Sequence, residues 1–183
     1  MKLNLGCGEN KFPGYVNVDK YGEPDLRWDL ETFPWPWASD SVEEIVMSHS
    51  LEHMGQRPDV FMAIMKELYR VSRNGGRIIV RVPHPRHDSF LNDPTHVRAI
   101  TPELFELFSK KKNLEWKKRG CANSPLALYH HVDFDIVSVK YALEEPYLSD
   151  LKSGKLKGDD VPRLVRAFNN VAQEIEIIAK VVK

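Results

Sequence analysis

The chain has little cysteine, no excess of charge and no long apolar run, and each shortage excludes a class of protein. Two cysteines in 183 residues, Cys7 and Cys121, make no disulfide framework, which points to a reducing, cytoplasmic setting. Lys plus Arg and Asp plus Glu both number 26, so composition gives no electrostatic case for a nucleic-acid or membrane-surface partner. No apolar stretch approaches the roughly 18 residues of a membrane-spanning helix. Met1-Lys2 leads directly into an expected strand, without a signal-peptide pattern. There is no internal repeat and no low-complexity linker. A length of 183 residues suits a single domain, residues 1–183, with a sizeable core.

The informative stretch is the first, Leu3-Asn4-Leu5-Gly6-Cys7-Gly8. An apolar alternation running into Gly-Cys-Gly is how a buried strand ends when its tip must approach a ligand. Asp19 closes a second short run, Tyr15-Val16-Asn17-Val18. A carboxylate there can accept both hydroxyls of a ribose. A glycine turn followed by an acid suits two cofactor classes, dinucleotides and S-adenosylmethionine. A dinucleotide fingerprint needs a third glycine, a full helix to hold the pyrophosphate, and its acid roughly 20 residues on. Here Lys11 stands at the third position, and Pro13-Gly14 leaves room for one helical turn at most. S-adenosylmethionine carries no phosphate and needs no such helix.

Further along, Phe33-Pro34-Trp35-Pro36-Trp37 forbids regular structure and reads as a packed loop. Val42 to Met47 reads as a buried strand, and Ser48-His49-Ser50-Leu51-Glu52-His53 follows its ligand-binding end. Asp59 can cap a helix to about Ser72, with Val60, Phe61, Ile64, Met65, Leu68 and Val71 at helical spacing. Asn74-Gly75-Gly76 should end it in a left-handed turn before a strand over Arg77 to Val82. Thr101 caps a short helix with Pro102 at its first position. Val132 to Leu143 and Glu174 to Val182 read as late strands, joined by a helix from Pro162 to Asn169. The polar stretch Ser149 to Asp160 is expected to be mobile. Lys110, Lys111, Lys112, Lys117, Lys118 and Arg119 cluster around Trp116, as a solvated face or a site for an acidic substrate. Alternating strands and helices predict an α/β Rossmann-like fold, a mostly parallel sheet with helices on both faces.

Four stretches in register resemble the class I S-adenosylmethionine-dependent methyltransferases. They are Leu3 to Gly8, Val16 to Asp19, Ser50 to His53, and Leu68 to Val71 with Gly75-Gly76. The compact Gly14-Tyr15-Val16-Asn17-Val18-Asp19 crossover resembles a small bacterial, archaeal and phage subgroup. The resemblance covers residues 1 to about 110 and implies a sheet of about seven strands and S-adenosylmethionine as cofactor. It implies that Gly6, Cys7 and Gly8 approach the methionyl part and Asp19 takes the ribose hydroxyls. Asp29 and Leu30 would bracket the adenine, and Ser48 and His49 would border the transferring methyl. Asn4 stands where the family often has Asp, so it is a weakened contact to the cofactor amine or a bond within the turn.

The acceptor is expected to be a small hydroxyl- or amine-bearing molecule, such as a sugar or glycan precursor. A protein or nucleic-acid acceptor, and a non-catalytic binding protein, are the rivals. The long polar loop Pro83 to Ile100 holds His84, His87, Asp88, Asp93 and His96, and a loop of that length normally has a use. Its residues can be a capped turn, a metal site or a general base with an orienting carboxylate. No two of its histidines have the i, i+4 spacing of a zinc helix, so no metal is assigned. His84 is the expected base, with His96 as alternative and Asp88 or Asp93 as partner.

Overall fold

The alternation Leu3, Asn4, Leu5 puts two leucines on one face of strand β1 (Lys2–Leu5) and an amide on the other. The computed structural model, which describes residues 1–183, builds a seven-stranded sheet around it. The other strands are β2 (Val16–Asp19), β3 (Leu26–Arg27), β4 (Val42–Ser48), β5 (Ser72–Pro83), β6 (Phe134–Leu143) and β7 (Ala172–Val181). Their order is β3-β2-β1-β4-β5-β7-β6. The first five are parallel, and β7 runs antiparallel between β5 and β6. The mostly parallel Rossmann-like sheet expected from the sequence is present.

Seven helices join the strands: α1 (Pro58–Val71), α2 (Asp88–Leu91), α3 (Pro102–Glu106), α4 (Lys110–Arg119), α5 (Leu126–His130), α6 (Tyr147–Lys152) and α7 (Val161–Ala167). Three boundaries differ from expectation. Arg57 holds the N-cap of α1 in place of Asp59, because Pro58 fixes the first turn. The Asn74-Gly75-Gly76 turn lies inside β5, where Gly75 (φ 76°) makes the register shift opposite Val42 and Glu44. The 149–160 stretch begins inside α6, whose Leu148 and Leu151 pack on a small cluster around Val165.

Helices α1 and α3 pack on one face of the sheet, and the β1-to-β2 and β2-to-β3 connections, which cross the other, hold no helix. Leu3, Leu5, Ile45, Met47, Ile78, Val80, Ile175 and Ile177 point to one side and form a single core with Phe61, Ile64, Met65 and Leu68 of α1 and Phe105 of α3. Right-handed crossovers explain the asymmetry. The β1-to-β2 and β2-to-β3 connections run one way along the sheet, and the β3-to-β4 and β4-to-β5 connections run the other way, over the opposite face. The first two connections contain no helix. Their face is covered instead by charged side chains: Arg77 and Lys2 reach Glu44 (3.4 and 3.7 Å), and Arg81 and Lys140 reach Glu176 (2.7 and 3.2 Å). The Tyr15 hydroxyl also donates to Glu44, and that bond, with burial, pushes the Tyr15 pKa up to about 12. No helix is long and apolar enough to cross a membrane.

Candidate functional site

Two cavities meet at the C-terminal edge of the parallel strands. The first, of about 280 Å³, is lined by Gly6 and Gly8 after β1, Asp19 at the end of β2, Trp28, Asp29 and Leu30 after β3, and His49, Ser50, His53 and Met54 after β4. It sits where the strand order reverses between β1 and β4, the position at which open α/β sheets bind ligands.

The glycine turn is built by its neighbours. The N–H groups of Gly6 and Cys7 both donate to the Val18 carbonyl, at 2.8 and 3.0 Å. Gly6 has φ 69°, and a Cβ there would stand 2.4 Å from Ser50 Cβ, so only glycine lets β1 pass into the turn beside β4. Gly8 has φ 51° and a Cβ there would meet nothing within 4 Å, so its backbone faces open space. Asp19 Oδ2 accepts from Gly8 N–H at 2.8 Å and Oδ1 from Tyr21 N–H at 2.9 Å. The carboxylate is thereby fixed while keeping lone pairs for a ligand. Asp29 Oδ1 accepts from Glu31 N–H at 3.0 Å, and its other oxygen lies 3.7 Å from Lys20 Nζ.

The structure thus gathers Gly6, Gly8, Asp19, Asp29, Leu30 and His49 around one cavity. It places Asn4, Cys7 and Ser48 around another, with Lys11 and Phe12. Strand alternation is the reason: Asn4 pairs with Val46, so Asn4 and Ser48 share the sheet face opposite the leucines. The Asn4 side-chain nitrogen donates to the Asn10 carbonyl (2.8 Å) and to Asn17 Oδ1 (2.9 Å), bonds made within the turn.

The second cavity adjoins the first through His49 and His53. It is also lined by Glu52, Pro83, Ser89, Asp93, His96, Ala142, Gln173 and Glu174. His49 Nε2 is 2.7 Å from Glu174 Oε2. Burial pushes the Glu52 carboxyl above its usual range, against the opposing pull of nearby imidazoles and its own backbone.

The expected bases separate. His96 lines this second cavity, but His84 lies in a different one, with Thr101, Glu103, Tyr141 and Arg166. Pro83 is the last residue of β5, and one step further turns the side chain to the helical face, where His84 packs edge-on to Tyr141. Burial there lowers its pKa. Asp88 opens α2 as an exposed residue whose N–H is bonded to Asn170, and it lines neither cavity. Sequence reasoning missed Glu174, which reaches His49 from 125 positions away with no local signal.

Comparison with protein-family models gives no match, and comparison with curated protein sequences gives none either. Solved structures do match. A methyltransferase dependent on S-adenosylmethionine from Archaeoglobus fulgidus is 18% identical with a TM-score of 0.64, covering 98% of this chain and 85% of that one. The 1,6-didemethyltoxoflavin-N1-methyltransferase of Burkholderia thailandensis, solved with bound 1,6-didemethyltoxoflavin and S-adenosylhomocysteine, is 11% identical with a TM-score of 0.54. That match covers 100% of this chain and 71% of that one. Identities this low carry the fold alone: the chain has the class I methyltransferase fold.

Proposed function

We propose that the chain is an S-adenosylmethionine-dependent methyltransferase acting on a small hydroxyl- or amine-bearing acceptor, with a sugar or glycan precursor as the favoured class. The observation that carries this reading is the junction at His49, which borders both the glycine–Asp19 cavity and a polar cavity beside it. A cofactor in the first would place its reactive end toward an acceptor in the second. The first cavity fits the cofactor: Gly8 leaves backbone open to it, and the fixed Asp19 carboxylate matches vicinal hydroxyls. Asp29 would accept from an adenine amino group.

When bound, S-adenosylmethionine supplies a methyl group on a sulfonium. The chain's own residues align the acceptor, exclude water and move its proton. With His49 Nε2 turned to the Glu174 carboxylate as donor, Nδ1 is the nitrogen left to take a proton. Glu174 then stabilises the imidazolium. This pair takes the role expected of His84. None of the six basic residues of 110–119 lines either cavity, so a nucleic-acid or protein acceptor has no local support. The favoured acceptor class rests on the polar lining of the second cavity.

Thermal-shift measurements test the cofactor: S-adenosylmethionine and S-adenosylhomocysteine should raise the melting temperature and NAD and NADP should not. Stabilisation by NAD alone would overturn the reading. With a hydroxyl acceptor, His49→Ala should lower turnover by roughly 10²–10⁴-fold with S-adenosylhomocysteine still bound.

A further inference from the structure

Glu52 is a carboxylate that nothing in the protein satisfies. It is fully buried, and neither of its oxygens has a hydrogen-bond partner. Burying a charge in this way is costly unless a cation compensates it. Three imidazole nitrogens surround it without touching it. His49 Nδ1 is 3.7 Å from Oε1 and His53 Nε2 is 4.0 Å away. Together with His96, the ligand atoms of Glu52 and His53 all lie within 4.8 Å of one another.

The hydrogen-bond network fixes which proton each ring carries. His96 Nδ1 lies 2.9 Å from the Phe90 carbonyl, which can only accept, so the Nδ1 is protonated. Thr95 Oγ1 gives its one proton to Asp93 Oδ1 at 2.6 Å, and so must accept from His53 Nδ1 at 2.9 Å. Nε2 is therefore the nitrogen that each ring can offer to a ligand. Two such nitrogens and the unpartnered Glu52 carboxylate converge on one point. A direct hydrogen bond would need about 2.8 Å, whereas ligands around a first-row ion sit about 3.0–3.4 Å apart, from metal–ligand distances near 2.1 Å. The gaps call for an ion and a small closure.

The loop that brings in His96 is held for this purpose. The N–H groups of Val97 and Arg98 both donate to the Glu52 carbonyl, at 2.9 and 3.1 Å. Phe90 stacks on the His96 ring at 5.2 Å between centroids. The outer contacts, a backbone carbonyl behind one imidazole and a hydroxyl–carboxylate relay behind the other, are those that orient metal-binding histidines.

We propose that Glu52, His53 and His96 bind a divalent transition-metal ion, such as zinc, cobalt or manganese, leaving coordination positions open toward the second cavity. Two imidazoles with one carboxylate favour these ions over magnesium or calcium. The absence of helical spacing between ligands does not exclude the site, because two come from one tight turn and the third from the loop clipped to it. The role of the ion rests on the methyltransferase reading. An acceptor hydroxyl bound to it loses its proton to His49 Nδ1, and the O–H electron pair stays on oxygen, where the metal stabilises it until that oxygen takes the methyl group.

The test uses the whole chain, stripped with chelator and dialysed. Titration with Co²⁺ should give one ion per chain by calorimetry and visible ligand-field bands, and Zn²⁺ should displace it. Glu52→Gln keeps the shape and His53→Gln replaces a partly exposed side chain. Each should weaken Co²⁺ binding by at least roughly 100-fold, the upper end of the loss seen when only an outer partner is removed, with circular dichroism unchanged. No stoichiometric binding by the wild type, or equal binding by both folded variants, would overturn the site. S-adenosylhomocysteine binding is measured in parallel with EDTA present. Cofactor binding without metal binding removes the metal site and leaves the methyltransferase reading; metal binding without cofactor binding does the reverse.

Discussion

Replacing Asp19 with Asn isolates the contact on which the cofactor reading depends. The two carboxylate oxygens hold Gly8 N–H and Tyr21 N–H at 2.8 and 2.9 Å. An amide of the same shape keeps one acceptor oxygen and turns the other into a donor. That donor faces either an N–H of the turn or a ribose hydroxyl, and the charge is gone. Hydrogen bonds to charged groups contribute about 1.5–3 kcal/mol each. Loss of one in the complex therefore lowers S-adenosylhomocysteine affinity about 10- to 150-fold, at about 1.4 kcal/mol per tenfold. The free protein should lose much less, because both bonds lie at the surface and water can replace the missing partner. Calorimetry on Asp19→Asn, with the melting temperature measured on the ligand-free variant, separates the two effects. Unchanged affinity in a folded variant would refute the assignment of the ribose to Asp19, and a collapse in stability would make the residue structural.

Other substitutions follow from the same geometry. Gly6→Ala should destabilise the chain by about 1–3 kcal/mol, since the new Cβ meets Ser50 and the backbone is left-handed. Gly8→Ala should cost less stability but weaken cofactor binding, because its methyl group meets no protein atom; denaturant melts and calorimetry compare the two. Glu67 is pushed up by burial, but Arg70 and the Trp35 N–H outweigh this and hold its pKa below the usual 4.5. A lowered carboxyl pKa stabilises the fold above the unfolded value, and this is lost as pH falls through the folded one. Urea melts should therefore show a loss of stability below about pH 4.5 that is smaller in Glu67→Gln.

The sequence made some parts of this site legible and concealed others for physical reasons. Gly6, Gly8 and Asp19 could be read because a tight turn and a strand-end acid are local, and local chemistry leaves a local signature. Pro13-Gly14 correctly limited the first crossover: residues 9–14 contain no helix. Its consequence, first and second crossovers that leave their side of the sheet without a helix, needed the handedness of two crossovers taken together. His84 misled because proximity to a strand end says nothing about side, and alternation past Pro83 turns it away. Glu174 could not be found at all, since antiparallel pairing of β7 with β5 sets it opposite Pro83. Glu52 and His53 sat in a recognised stretch, but their use depends on a loop that arrives more than forty residues later.

The uncovered sheet face yields a prediction about what keeps it stable. Val46 is 3% exposed and Ile79 7% exposed although neither belongs to the core that α1 and α3 cover. The cover must come from the side chains around them, and the hydrocarbon stems of arginine and lysine can supply it. Arg81 stands two residues beyond Ile79 on the same strand face and reaches Glu176 at 2.7 Å, with its side chain 35% exposed. If charge were the main contribution, Arg81→Met would be as harmful as Arg81→Ala, and salt would weaken the wild type. If cover is the main contribution, methionine retains most of the stability and alanine does not. Partly exposed ion pairs contribute about 0–1 kcal/mol after screening, whereas removing two methylenes of cover at about 0.8 kcal/mol per buried methylene gives an upper bound of about 1.6 kcal/mol. Arg81→Ala should therefore destabilise by about 1–1.5 kcal/mol and Arg81→Met by less than about 1 kcal/mol, with little change between low and high salt. Equal losses in the two variants, or a loss that vanishes in high salt, would mean that the charges and not the stems hold this face.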